Sequence, residues 1–197
     1  RGRRDDDGDM TTTNSAADDA RDLPREPTAQ WIRALVAVVM AVWLVGLVWQ
    51  VAVLPERVPI HFGSGGEPDN WSSKWGALAF AGLLPLLIIL PMPLLAAMVI
   101  RAPDLINAPN KEWWTATGPR LRRFERLLRE DLWLITAIAL ALLITTQVGV
   151  TLAARSPDHQ LPEGLLPISL AVFGVALVAV MIRMFSGGRY AEHPDLG

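Results

Sequence analysis

Apolar positions in this chain gather in four long blocks, and polar positions are confined to the segments between them. The blocks run over about residues 34–54, 76–100, 132–154 and 165–185. A helix needs about 20 mostly apolar residues to cross a hydrocarbon layer about 30 Å thick, and each block meets that length. A surface helix of a water-soluble protein would show a polar face recurring every three to four residues, which these blocks lack. The pattern predicts an all-α membrane protein, a four-transmembrane-helix bundle. It also predicts a tail over residues 1–30 followed by a four-span membrane domain over residues 31–197.

Composition agrees and adds exclusions. Of the 197 residues 51% are hydrophobic and 19% charged, whereas soluble domains carry about 25% charged residues. There is no cysteine, so disulfides, thiolate metal sites and cysteine nucleophiles are excluded together. A net charge of −2 supplies no field that would recruit nucleic acid. Lys and Arg are unevenly placed. Arg1, Arg3, Arg4, Arg21, Arg25 and Arg33 precede or open the first span, and Arg101, Lys111, Arg120, Arg122, Arg123, Arg126 and Arg129 lie between the second and third. The other two connections hold only Arg57, Lys74 and Arg155. Because positive residues near spans stay on the cytoplasmic side, both termini are expected inside (N-in/C-in) and the loops at residues 55–75 and 155–164 outside. Trp31, Trp113, Trp114 and Trp133 fall at the inner boundary and Trp49, Trp71 and Trp75 at the outer one, as aromatic belts require, with Trp43 alone at mid-depth. Sixteen Arg against two Lys, amid abundant Ala, Leu and Val, points to a genome rich in G and C and to a bacterial cell membrane.

Residues 1–30 hold eight acidic and five basic side chains and almost no large apolar residue. They cannot bury enough surface to offset chain entropy, so a disordered cytoplasmic tail is expected. After Gly118-Pro119 the chain reads as an amphipathic helix: Leu121, Phe124, Leu128 and Leu132 recur at helical spacing, while Arg120, Arg122, Arg123, Arg126 and Arg129 occupy the remainder. Those arginines suit anionic head groups at the inner surface, or a protein partner, or serve only as an inside-retention signal on a linker. The helix is placed to run straight into the third span. Within that span Ala137, Ala141, Thr145 and Gly149 share one face, a small-residue stripe that lets another helix approach, either from the same chain or from a second copy. Pro85, Pro91 and Pro93 predict a kinked or broken second span. Gln50 and Gln147, at similar depth, are placed to hydrogen-bond to one another. No ionisable residue sits at mid-membrane, which argues against ion-coupled transport.

The stretch Leu54 to Trp75, LPERVPIHFGSGGEPDNWSSKW, is the most distinctive. Pro55 and Pro59 favour extended backbone, Gly63, Gly65, Gly66 and Glu67-Pro68-Asp69-Asn70 carry turn chemistry, and Asp69, Ser72 or Ser73 is placed to cap the second span. An ordered loop follows. His61 is expected to pair with Asp69 or Glu67. There is no second histidine at metal spacing and no nucleophile paired with a base in a recognisable motif, so no catalytic, cofactor or metal site is assigned. Pro55, Pro59, His61, Phe62, Gly66, Asp69 and Lys74, in this order after a first span, resemble the membrane domain of unknown function numbered 1648, over roughly residues 35–100. That domain also forms the N-terminal part of SdpI-type immunity proteins. The segment Asn107 to Trp114 resembles one that often follows the second span in longer members. An ordered, polar loop outside and a basic amphipathic helix inside point to a non-enzymatic envelope protein that senses or binds something through the outer loop, and the SdpI resemblance implies an immunity-like role. The alternative left open by the residues themselves is an accessory or structural subunit of a larger membrane complex or transporter. No cofactor is implied; the expected partners are membrane lipids and either a protein partner or a second copy, with no nucleic acid.

Overall fold

A segment surrounded by lipid must satisfy its own backbone N–H and C=O groups, so the apolar blocks become helices. The computed structural model describes residues 15–186 and 188–196. Residues 15–22 form helix α1, and α2 is Gln30–Val53. Strands β1 (Arg57–Phe62) and β2 (Pro68–Ser73) follow, then α3 (Lys74–Ile89), α4 (Pro91–Arg101), α5 (Lys111–Thr115), α6 (Gly118–Arg155) and α7 (Leu165–Phe185). Short 3-10 turns lie at Pro103–Leu105 and Pro194–Leu196. Among the described residues, four helical stretches are long and apolar enough to cross a membrane: Gln30–Val53, Lys74–Arg101, Gly118–Arg155 and Leu165–Phe185. The chain is a helical, multi-pass membrane protein. Its 38-residue α6 measures roughly 57 Å at 1.5 Å per residue, so the amphipathic helix does run unbroken into the third apolar block.

The second block is interrupted at Leu90, between α3 and α4. Pro91 and Pro93 have no N–H to donate to the preceding turn, and two missing donors so close together end one helix and start another.

The chain divides into two compact units. One comprises the described parts of Arg1–Ile32, Pro91–Trp133 and Ala179–Gly197; the other comprises Arg33–Leu90 and Leu134–Val178. The core of the first is Trp114, Leu121, Phe124, Leu127, Ile100 and Tyr190, joined by Ala17 and Ala20 of α1. Here the expectation of a disordered tail meets a different outcome over residues 15–30. Small side chains let α1 lie close: Ala16, Ala17 and Ala20 are buried, and a Cβ added at Gly118 would stand 2.7 Å from Asp19 Cβ and 2.9 Å from Ala20 N. The segment is held by hydrogen bonds from α6 arginines rather than by large apolar residues, which is why its composition did not disclose it. Residues 1–14, with Asp5, Asp6 and Asp7, lie outside the described residues. Trp114, expected in the inner aromatic belt, is instead fully buried and donates from Nε1 to Tyr190 O at 3.2 Å.

In the second unit the outer loop is a β-hairpin, the one departure from all-helix among the described residues. Its antiparallel register pairs Arg57 with Ser73, Val58 with Ser72, Pro59 with Trp71, His61 with Asn70 and Phe62 with Pro68, and it is irregular on both sides of His61. The base of the hairpin packs through Val58 into a small core of Leu54, Ala77 and Ala154.

Candidate functional site

The hairpin is built by a few local devices. Pro55 ends the α2 segment, and Pro59 is fully buried within β1. Gly63 N donates to Glu67 O at 2.8 Å and Gly66 N to Gly63 O at 3.0 Å, closing the turn. Gly66 has φ +86°, a backbone region that favours glycine, and its carbonyl accepts from Leu161 N at 3.2 Å, which ties in the second loop. Lys74, the first residue of α3, donates its backbone N–H to Glu56 O at 3.0 Å. Of the three residues placed to cap α3, Ser73 does so: its Oγ accepts from Gly76 N at 3.1 Å.

Of the two carboxylates expected near His61, Asp69 meets it, with Nδ1 and Oδ1 2.5 Å apart. The pair is exposed, at 68% and 51% of its side-chain surfaces, so it faces outward as a polar knuckle and does not hold the fold together. The second loop contributes His159. Its ring stands edge-on to Trp71 at 5.1 Å, and Arg57 covers the Trp71 ring at 4.8 Å. Phe62 closes the strand pairing opposite Pro68. Thus the motif residues His61, Phe62, Gly66 and Asp69 sit together on one ordered hairpin, with Pro59 beneath them and Lys74 at its exit. Among the described residues no three His, Asp or Glu side chains are grouped to hold a metal ion.

Within the same unit α2, α3 and α6 are joined by polar contacts that originate at Pro85. Lacking an N–H, Pro85 leaves Ala81 O without its helical donor. Two side chains supply replacements: Gln147 Nε2 at 2.9 Å and Trp43 Nε1 at 3.2 Å. This gives Trp43 its reason for lying at mid-depth. Gln50 and Gln147 are neighbours, but their side-chain amides do not bond to each other as expected. Gln50 Nε2 donates to Thr151 Oγ1 at 2.9 Å and to Gln147 O at 3.3 Å, because Gln147 is committed to Ala81. The small-residue face of α6 lies against the α7 segment. Ala137 is buried, Ala141 and Thr145 share a cavity with Ile168 and Val172, and a Cβ at Gly149 would collide with Leu165.

In the first unit the five arginines expected to meet lipid or a partner are turned largely inward. Arg120 stacks on Trp113 at 4.3 Å. Arg122 donates to Ala20 O and Leu23 O. Arg123 and Arg126 both pair with Glu26, at 2.8 and 3.1 Å. Arg129 donates to Thr28 Oγ1 at 3.1 Å, to Glu26 O and to Glu125. For Arg122, Arg123, Arg126 and Arg129 these partners lie largely in the residue 20–28 segment read as a tail. Sequence reasoning also missed the buried carboxylates that follow. Asp131, wholly buried, accepts from Arg183 at 3.1 Å, Arg189 at 3.0 Å and Tyr190 Oη at 2.8 Å. Glu130 accepts from Ala29 N and Arg189, both at 2.8 Å. Burial first, and then the Asp131 carboxylate, push the Tyr190 hydroxyl far above its ordinary range, so it stays a proton donor. The one available signal was Glu125 preceding Arg129 by four residues, a helical ion pair within an arginine-rich run. The segment Asn107 to Trp114 is structural at its polar points, since Asn110 Nδ2 and Trp114 Nε1 both donate to Tyr190 O.

Fold and hairpin together define a multi-pass membrane protein with an ordered extramembrane hairpin between its first two apolar blocks. Residues 35–89 match the profile of the family described as Domain of unknown function (DUF1648), so the family resemblance read from the loop residues is established for that stretch. A protein of Archaeoglobus fulgidus described as "Uncharacterized protein" is 37% identical over 78 residues, which cover 38% of this chain and 42% of that protein. The chain therefore spans less than half the length of that relative. No solved structure matches it.

Proposed function

We propose that this is a non-enzymatic protein of the cell membrane whose hairpin lies outside and recognises a molecule at the membrane surface, in a sensing or immunity-like role. One observation carries the reading. The residues that make up the family motif converge on a hairpin anchored by Val58 and Pro59 yet exposed at His61 and Asp69. The base is fixed by buried residues while His61 and Asp69 stay exposed, where a molecule at the membrane surface can reach them. Outward placement of the hairpin, with both termini cytoplasmic, is supported by the arginine distribution. The chain lacks cysteine, so single substitutions report topology cleanly. Ser64→Cys should react with a membrane-impermeant maleimide in intact cells and Asp104→Cys only after lysis; the reverse pattern overturns the orientation. For recognition, a deletion strain complemented with His61→Ala, Asp69→Ala or Lys74→Ala should lose protection against envelope-active cationic peptides while membrane abundance stays at the wild-type level. Lost abundance would make the hairpin a folding element instead.

A second reading, an accessory subunit of a larger membrane complex, would use α7, whose exposed apolar face can meet either lipid or another helix. Ile168, Val172, Val175 and Ile182 are exposed, and nothing approaches within 4 Å of the place a Cβ would take on Gly174. Purification in mild detergent decides between them: a stoichiometric second protein supports the subunit reading, and a lone chain removes it.

A further inference from the structure

Within the first unit, residues 15–28 lie as a strap along the basic stretch of α6, and three features make this strap a cover that can be lifted. Its apolar anchorage is slight. Ala16, Ala17 and Ala20 are its buried hydrophobic side chains, and alanine removes little surface from water. Its polar hold is uneven. Arg122 meets only carbonyls, Ala20 O and Leu23 O, while Arg123 and Arg126 share the single carboxylate of Glu26, with Asp195 3.8 Å from Arg123. The Nε groups of Arg122 and Arg126 are buried and make no hydrogen bond among the described residues; that of Arg126, though 3.1 Å from Glu26, is out of line for one. Lifting the strap, finally, strands no buried carboxylate. Glu125 loses Arg25 but keeps Arg129, Glu130 keeps Arg189, and Asp131 keeps Arg183, Arg189 and Tyr190. Ala29, bonded through its N–H to Glu130 at 2.8 Å, is the fixed point from which the strap swings. What it uncovers is positive charge.

We infer that the α6 arginines bind the phosphate of an anionic phospholipid when the strap lifts, so that Glu26 and membrane phosphate compete for Arg123 and Arg126. Position favours a lipid source. Arg126 and Arg129 precede Trp133 by seven and four residues on an unbroken helix, about 10 and 6 Å along its axis, and head groups occupy about 5–8 Å beyond the hydrocarbon on each side. Arginine stems reach along the helix into that layer. A guanidinium holds phosphate in the same two-point geometry as carboxylate, and an anionic leaflet offers a phosphate to each arginine where the strap offers one carboxylate to two. The strap carries Asp18, Asp19, Asp22 and Glu26 against Arg21 and Arg25, so once lifted it is repelled by the same surface that attracts the arginines. This switch stands apart from the recognition proposed for His61 and Asp69, and neither depends on the other.

The full chain in lipid nanodiscs tests it. Ala17 is 2% exposed and the chain has no cysteine, so Ala17→Cys reports lifting through its rate of reaction with N-ethylmaleimide, and Ala16→Cys, at a residue 3% exposed, gives a second reporter. Leu105→Cys, at a residue of the same unit that is 73% exposed, corrects for the effect of lipid charge on thiol reactivity. After that correction, Ala17→Cys should react roughly tenfold faster in phosphatidylcholine discs containing phosphatidylglycerol than in pure phosphatidylcholine. Adding Glu26→Gln should raise the rate in pure phosphatidylcholine and shrink the lipid effect to under about threefold, because the competing carboxylate is gone. Equal corrected rates in the two lipids, an undiminished lipid effect with Glu26→Gln, or an equal acceleration by inorganic phosphate in pure phosphatidylcholine would overturn the inference. The lipid comparison keeps Glu26 and every arginine in place, so the test survives a Glu26 variant that fails to fold.

Discussion

The carbonyl that Pro85 leaves without a donor allows a sharp test of how α2, α3 and α6 are held together. Ala81 O has two replacement donors, Gln147 Nε2 and Trp43 Nε1. Removing one leaves the carbonyl satisfied by the other, so Gln147→Leu should cost only about 0.6 kcal/mol, the usual weight of a hydrogen bond between membrane helices. Trp43→Phe should cost a similar amount plus lost packing, which cancels in a cycle because it occurs with and without Gln147. Removing both strands a buried carbonyl, which costs about 1–3 kcal/mol. The double variant should therefore be less stable than the sum of the singles by about 1–2 kcal/mol. Pro85→Ala supplies the control. Alanine restores the backbone N–H within α3, Ala81 O regains its helical donor, and the coupling should fall below about 0.5 kcal/mol. Reversible unfolding in mixed dodecylmaltoside and dodecyl sulfate micelles, followed by far-ultraviolet circular dichroism, measures the wild type and all seven variants. Additive single effects, or a coupling indifferent to residue 85, would refute the argument.

Other outcomes follow from the first unit and the hairpin. Asp131→Ala leaves Arg183, Arg189 and Tyr190 without their shared carboxylate and should cost about 3–5 kcal/mol, visible as loss of monodisperse protein in detergent chromatography; a shift in midpoint worth under about 1 kcal/mol contradicts the network. Gly118→Ala drives a Cβ into Asp19 and Ala20, so α1 should loosen by about 1–2 kcal/mol and trypsin should cut at Arg21 and Arg25 roughly tenfold faster. The raised Tyr190 pKa means the unfolded chain ionises this phenol first, near pH 10, so its stabilisation is complete below that pH and is lost above it. Melting curves at pH 9 to 11 should fall more steeply for the wild type than for Tyr190→Phe. The exposed His61–Asp69 pair should contribute less than about 1 kcal/mol, so His61→Ala should melt within a few degrees of the wild type.

Much of the architecture was legible in the chain. Apolar block length specified four helices because lipid leaves the backbone no other partner, and Pro91 and Pro93 marked the break at Leu90. The hairpin was legible only as an ordered loop. Its strands are six residues each, interrupted by proline and lacking clean alternation, and their pairing depends on anchorage of Val58 against Leu54, Ala77 and Ala154 from other segments. The docked segment at residues 15–30 and the inward arginines were read in the opposite sense. Charge composition describes what a segment does when alone in water, and here its carbonyls and Glu26 serve as acceptors for α6.

By itself, the sequence determined what is governed by local rules: helix length, helix breaks, the small-residue face of α6 and the motif that names the domain. Only the tertiary structure decided which partner each polar group takes: Gln147 bonds Ala81 rather than Gln50, His61 faces Asp69, and Asp131 gathers two arginines and a tyrosine. Apart from the His61–Asp69 pair, which lies within one hairpin, these choices depend on segments that meet across about 50 to 100 residues of chain, as Asp131 meets Arg183 and Gln50 meets Thr151. Hydrogen bonding is short-ranged and directional, so it cannot be assigned until packing has brought the groups together.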